Sequence, residues 1–339
     1  MIKLLRNKKL ISINIIILCL LLLTIPTLVF CYDNLKFIIE NVTRRNYNPV
    51  IKYPVFNDKK TTSEVFNELN RTKGRYIYKP FIGWRSKPIN LKHIRIEGRY
   101  NTRYSIGEKI ENSNWFFGGS TMWGSFVSDK GTIPSIFNEK TKQPVFNFGE
   151  TGWNSRQSLN QLINAIGDGF RPSAVVFYDG VNDVALQCRT EIDSIPSHSR
   201  EYEIKDRLNK SSNFIHFILA PYVHASSKLN LKFSWGKAFS STYDCDTNKS
   251  KAQSIAMHLI SNWRAAYALS KMYDFEFYGI LQPTLFSTQT NSDYLANGET
   301  TSHPTLKKQY NAVYPLVLQE IKSQCRLDKS FCSSIYNGT

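Results

Sequence analysis

Three short strings carry residue types that can do acyl chemistry. In the first, Gly118-Gly119-Ser120-Thr121 follows a short apolar run, Trp115-Phe116-Phe117. Glycine lets the backbone turn tightly without a side-chain clash, so the Ser120 hydroxyl is presented at the end of the run. Taken alone, Gly-Gly-Ser is also an ordinary loop. The second string, Asn147-Phe148-Gly149-Glu150-Thr151-Gly152-Trp153-Asn154-Ser155, can turn the Gly152 N–H toward an anion. Its Asn154 or Ser155 can also cap the helix that follows, and both readings can hold together. The third is Tyr178-Asp179-Gly180-Val181-Asn182-Asp183. A side-chain amide at Asn182 can donate to a developing oxyanion, as preorganised donors do in acyl transfer. The plainer reading of that string is an Asx-type turn.

The elements that must position these strings alternate. Pro144 to Phe148 and Ala174 to Tyr178 are further apolar strands, and Phe275 to Gln282 is a fourth. Between them, helices are predicted over Thr132–Lys140, Ser155–Asp168 and Ala252–Met272, and Leu306–Ile321 forms one more. Leu159, Leu162, Ile163 and Ile166 fall on one helical face, as do Ala252, Ile255, Leu259, Trp263 and Ala266. Such alternation implies an α/β fold with a parallel sheet covered on both faces. In an open parallel sheet the carboxyl ends of the strands share one edge, and that edge carries the site. The three strings therefore converge.

Gly119-Ser120, Gly152, and Gly180-x-Asn182-Asp183 resemble blocks one, two and three of the SGNH or GDSL hydrolases. Gly-Gly-Ser-Thr stands here where Gly-Asp-Ser is the commonest form. The resemblance covers about residues 114–183 closely and 250–325 loosely. It implies a three-layer α/β/α fold with Ser120 as nucleophile. It also implies an oxyanion hole made by the Ser120 N–H, the Gly152 N–H and the Asn182 side chain.

The family's fourth block, Asp-x-x-His before a final helix, is absent from the chain. His303, in Ser302-His303-Pro304-Thr305, precedes a helix, but Thr300 occupies the position of the orienting Asp and Glu299 is one residue off. Tyr310–Ile321 reads better as the helix before the last strand, and Phe331–Thr339 as the approach to an Asp-x-x-His that lies beyond the chain. The catalytic base is thus either His303 or a residue not in this sequence. His198, His216, His224 and His258 read as surface or helix-face residues.

Ahead of the α/β region, residues 32–110 have aromatic, Asn and Lys clusters and no strong helical period. Tyr76–Trp84 and Ile94–Ser105 are predicted short strands, making a small β-rich extension. At the N-terminus, Lys3, Arg6, Lys8 and Lys9 make residues 1–9 a basic tail. Leu10 to Cys31 then runs without a charged residue. About 20 apolar residues span a bilayer as a helix, and the basic flank stays cytoplasmic. Residues 10–31 are therefore expected to be an uncleaved, single-pass transmembrane anchor, with 32–339 outside the plasma membrane and 111–339 as the SGNH-like domain.

Four cysteines follow the anchor: Cys188, Cys245, Cys325 and Cys332. An even number suits an oxidising compartment. Cys325–Cys332 with Cys188–Cys245 is the simplest of the three pairings, and sequence does not choose. No C-x-x-C pair and no His cluster suggests zinc, and neither a metal nor an organic cofactor is implied. The net charge of +16 favours anionic partners, although a solvated basic surface explains it equally well. No basic-aromatic nucleic-acid motif occurs.

The resulting expectation is a serine esterase or O-acyltransferase acting on ester groups, O-acetyl by preference, of a cell-surface or exported polysaccharide. The rivals are a non-catalytic glycan-binding or assembly protein of the same fold and a truncated, inactive product.

Overall fold

The structure, a computed structural model, describes residues 11–20, 24, 27–28, 30–32, 34–36, 38–39, 58–72, 76–192, 201, 222, 242–284, 286 and 304–337. The chain forms two compact units, one from residues 1–49 and 203–240 and the other from 50–202 and 241–339. In the first unit residues 11–20 are helical with exposed side chains. The Asn34 amide there donates to the Phe30 carbonyl at 2.7 Å. Among the described residues no helix is long and apolar enough to cross a membrane.

The second unit is built on a five-stranded sheet in which every pairing is parallel. Its strands are β6 (Asn114–Gly118), β7 (Val145–Asn147), β8 (Ala174–Asp179), β9 (Glu276–Leu281) and β10 (Ile335–Asn337), in the spatial order β10-β9-β8-β6-β7. Registers align Asn114 with Val145 and with Ala174, and Ala174 with Glu276. The starts of the strands are thus level, and their carboxyl ends emerge on one edge. The connecting helices are α2 (Ser120–Trp123), α3 (Ile133–Thr141), α4 (Ser155–Gly167), α5 (Val181–Gln187), α6 (Lys249–Tyr273), α7 (Pro304–Leu327) and α8 (Lys329–Cys332). The four predicted strands and the first three predicted helices agree to within a few residues; α7 runs on to Leu327, beyond its expected end at Ile321, and the short helices α2, α5 and α8 were not predicted. Strand β10 is a fifth strand after α7, where the sequence was read as the approach to a last one.

Period-2 alternation assigns the strand residues to two unequal faces. Trp115, Phe117, Val175, Phe177 and Phe277 enter the main core with Leu159 and Leu162 of α4, Trp263 of α6 and Val313 of α7. On the opposite face Phe116, Val145 and Met122 form a smaller cluster with Phe137 of α3. There Val176 and Tyr178 of β8 are only half-buried, as are Tyr278 and Ile280 of β9.

The extension has short strands, as expected, and also a helix that was not expected. It opens with a helix, α1 (Lys59–Thr72), which buries Val65 and Leu69 against Ile94, Ile96 and Trp123. Val65, Phe66 and Leu69 lie at helical spacing on its buried face, which polar Thr62 and Glu68 share. Glu68 is accommodated there by accepting the His93 N–H at 2.9 Å. The segment read as one strand, Tyr76–Trp84, is a hairpin of β1 (Tyr76–Lys79) and β2 (Gly83–Ser86). Pro80 and a left-handed Phe81 (φ 62°) make the turn between them. A three-stranded antiparallel sheet follows, of β3 (Ile89–Asn90), β4 (Arg95–Glu97) and β5 (Thr102–Arg103).

Cys188 pairs with Cys245, and Cys325 with Cys332. The first bridge closes a 57-residue separation whose middle lies outside the described residues. It is reinforced by the Arg189–Tyr243 bridge between the two chain segments.

Candidate functional site

Strand β6 delivers Ser120 to the carboxyl edge of the sheet as the first residue of α2, half-buried. Among the described residues, nothing hydrogen-bonds to its Oγ. A side chain at the preceding residue, Gly119, would displace Asn182. A Cβ on Gly119 would lie 2.3 Å from Asn182 Nδ2, well inside contact distance. So the third string reaches the first: Asn182, on the first turn of α5, lays its amide directly over the Gly119 backbone.

The second string meets both. Asn182 Nδ2 donates to the Trp153 carbonyl at 2.7 Å. An amide nitrogen carries two N–H groups. The other has no partner among the described residues. Gly152, one residue before Trp153, is half-buried with φ 76°, a conformation open to glycine at little steric cost. The fourth strand contributes a residue that the sequence did not single out. Gln282, just past β9, donates from Nε2 to Thr121 Oγ1 at 2.8 Å, and its own backbone N–H bonds the Asp179 carbonyl. No motif marked Gln282; only the parallel register places it beside Thr121.

Two buried carboxyls fix the third string. Asp183 accepts from the Ser155 N–H at 3.1 Å, from Ser155 Oγ at 2.5 Å and from the Gly180 N–H at 3.2 Å. Ser155 Oγ in turn accepts from Asn262 Nδ2 of α6. Asp179 accepts from Ser158 Oγ and Trp263 Nε1, each at 3.2 Å. Burial raises the pKa of both carboxyls; repulsion from Asp183 raises Asp179 further, while the Ser155 hydrogen bonds oppose the rise at Asp183. The helix cap is now assigned: Asn154 Oδ1 accepts the Gln157 N–H at 3.1 Å, leaving Ser155 to Asp183. Asn182 is not spent on a local Asx turn, because its amide spans to Trp153.

The extension clamps the first two strings with two buried arginines. Arg85 of β2 donates to the Gly149 and Phe148 carbonyls at 3.1 and 2.9 Å and lies 4.0 Å over the Trp153 ring. Burial lowers its pKa to about 10, with nearby Glu150 opposing the shift. Glu150, fully buried, accepts from the Ser86 N–H, Ser86 Oγ and the Thr151 N–H. Trp153 Nε1 donates to the Trp84 carbonyl, and Tyr76 and Thr151 share a hydroxyl–hydroxyl bond. On the other side Arg103 of β5 bonds Asp129 at 2.8 Å and the Val127 carbonyl at 2.9 Å, and lies 4.6 Å over Trp123. Nothing in the sequence separated these arginines from surface ones. The β1–β2 hairpin and the three-stranded sheet are thus the supports for the loops after Ser120 and around Gly152.

Of the residues predicted for the site, Ser120, Gly152 and Asn182 lie on the loops that meet at the carboxyl edge. His303 lies outside the described residues, as do His198, His216 and His224; His258 is exposed on α6. Among the described residues no group of three or more His, Cys, Asp and Glu is placed to hold a metal ion.

No family model matches the chain, and no curated protein matches it significantly.

Proposed function

We propose that the chain is an SGNH-type serine esterase or O-acyltransferase with a three-layer α/β/α domain. The observation that carries this reading is the meeting of three strand ends, with the Asn182 amide beside Gly119-Ser120 and bound to Trp153. In this reaction a histidine takes the proton of Ser120 Oγ as the oxygen attacks an ester carbonyl. The tetrahedral oxyanion is held by the Ser120 N–H, the Gly152 N–H and the second N–H of Asn182. Its collapse breaks the ester C–O bond, and the histidine returns the proton to the departing alcohol. Water, or a sugar hydroxyl, then attacks the acyl-serine and frees the enzyme. The sequence offers His303 as the candidate for this histidine. Arg85 and Arg103 hold the flanking loops and touch no reacting atom.

The favoured substrate is an O-acetyl ester on a cell-surface or exported polysaccharide, an assignment supported by the basic chain and its compartment. Two disulfides and the uncharged Leu10–Cys31 run behind a basic flank support an outward-facing domain on a plasma-membrane anchor. Protease added outside the membrane should digest residues beyond Tyr32, and full protection would reject that topology.

A fluorophosphonate probe tests the chemistry. It should label Ser120 covalently, and labelling should vanish in Ser120→Ala. Steep loss in His303→Ala identifies His303 as the base; indifference to that change places the base elsewhere. Labelling centred on another serine rejects the site.

A further inference from the structure

A cleft of about 520 Å³ opens between the β1–β2 turn, the Arg99-Tyr100 segment and the outer surface of α4, and Ser120 is not among its lining residues. Two of the residues that form its floor carry unmet donors. Arg85 Nε and Gln161 Nε2 are buried and have no hydrogen-bond partner among the described residues. Their other groups are committed, Arg85 through both Nη atoms and Gln161 through Oε1. Buried polar groups are ordinarily partnered, so a pair of orphans in one wall calls for a cause. Both orphans are donors. Whatever completes them brings acceptors.

The rim supplies the other half. Phe81 is 82 % exposed although it is a large apolar residue, and it holds a left-handed φ of 62°. Its carbonyl is tied to Asn160 Nδ2 at 2.6 Å, and the turn closes by Ile82 N–H to the Lys79 carbonyl at 3.3 Å. A bulky residue persists in that conformation only where its surroundings over-determine it, and such positions cluster at ligand clamps. The backbone at Phe81 is therefore held, and its aromatic ring stands exposed at the cleft mouth. Lys79 is half-buried with no acidic partner among the described residues. Arg99, 2.9 Å from Asp168, cancels that carboxylate, so one positive charge at the rim remains uncompensated.

We propose that this cleft binds an acidic sugar unit of a polysaccharide. One pyranose face packs on Phe81 and the carboxylate approaches Lys79. The hydroxyl oxygens face the Arg85–Gln161 wall, whose two covered donors are reached by a small shift of those side chains. The assignment goes beyond Ser120 chemistry and does not need it. A chain-holding cleft separate from the reacting edge would keep a polymer bound between encounters with Ser120.

The test is titration of the full chain in detergent with oligogalacturonate, against maltohexaose as a neutral oligomer. Oligogalacturonate should bind with an affinity that falls as salt screens the Lys79 contact, and about tenfold or more tighter than maltohexaose. Phe81→Ala and Lys79→Glu should each weaken it about tenfold. Gly167 ends α4 on the cleft wall, and a side chain there meets nothing within 4 Å. Gly167→Glu should therefore fold normally, with an unchanged melting temperature, and abolish binding by filling the cleft with negative charge. Ser120→Ala should bind as the unaltered chain does, so failure of the esterase reading leaves this result intact. No binding of oligogalacturonate, equal affinity for maltohexaose, or undiminished binding in folded Gly167→Glu would each overturn the proposal.

Discussion

The Arg85 guanidinium lies 4.0 Å over the ring of Trp153, the residue whose carbonyl receives the Asn182 amide. A cation delivered by the extension is therefore one residue away from the group proposed to hold the oxyanion. The order of dependence runs from β2 through Trp153 to Asn182 and then to the Gly119-Ser120 turn.

Asn182 is the first residue to test. Asn182→Ala removes the donor beside Ser120 and should lower ester turnover, or the rate of fluorophosphonate labelling, by about 100- to 1000-fold. Circular dichroism should show an unchanged fold, because Asn182 is half-buried and its main partner is a single carbonyl. An unchanged rate in an active preparation removes Asn182 from the mechanism.

Arg85→Met leaves Glu150 buried without its cation and two loop carbonyls without their donors. Breaking a buried charge pair on one side destabilises by about 3–5 kcal/mol. Urea denaturation should show a loss of that order. Arg85→Met combined with Glu150→Gln should recover part of it, since no unpaired charge then remains. A loss below about 1 kcal/mol would place this pair with exposed ones.

Glu108 gives a pH dependence. It is half-buried, and burial raises its pKa to about 7. Its raised value means that the native state holds the proton more tightly than the unfolded chain. The stabilising contribution is therefore full below the unfolded pKa of about 4.3 and is lost as pH rises through about 7. Glu108→Gln should flatten that decline and raise stability at pH 8 by roughly 1–3 kcal/mol. Thermal melts across pH 4–8 that keep the same slope in Glu108→Gln would assign the decline to other groups, Asp179 and Asp183 first.

The two disulfides should differ in worth. Closing the 57-residue separation removes more unfolded-state freedom than closing the 7-residue one. Replacing Cys188 and Cys245 by alanine should destabilise by about 4 kcal/mol, and replacing Cys325 and Cys332 by about 2 kcal/mol. Before reduction, alkylation should reach only Cys19 and Cys31, the two unpaired cysteines. Equal losses for the two pairs would point to native-state packing, not loop closure, as the source.

Sequence alone determined the alternation of strands and helices, because apolar runs such as Ala174–Tyr178 and stripes such as Leu159, Leu162 and Ile166 are local periodicities. It likewise placed Ser120, Gly152 and Asn182 after strands, since parallel strands put their carboxyl ends on one edge. Three things were decided only in three dimensions. The burial of Glu68 on helix α1 depends on a partner distant in sequence, the His93 N–H. Arg85 and Arg103 carry no local mark; each is internal only because loop carbonyls and a carboxylate from another segment surround its guanidinium. Gln282 meets Thr121 by sheet register alone, across 161 residues. Periodicity is written over a few neighbouring residues, whereas the environment of a buried charge is the sum of contacts that the folded chain assembles.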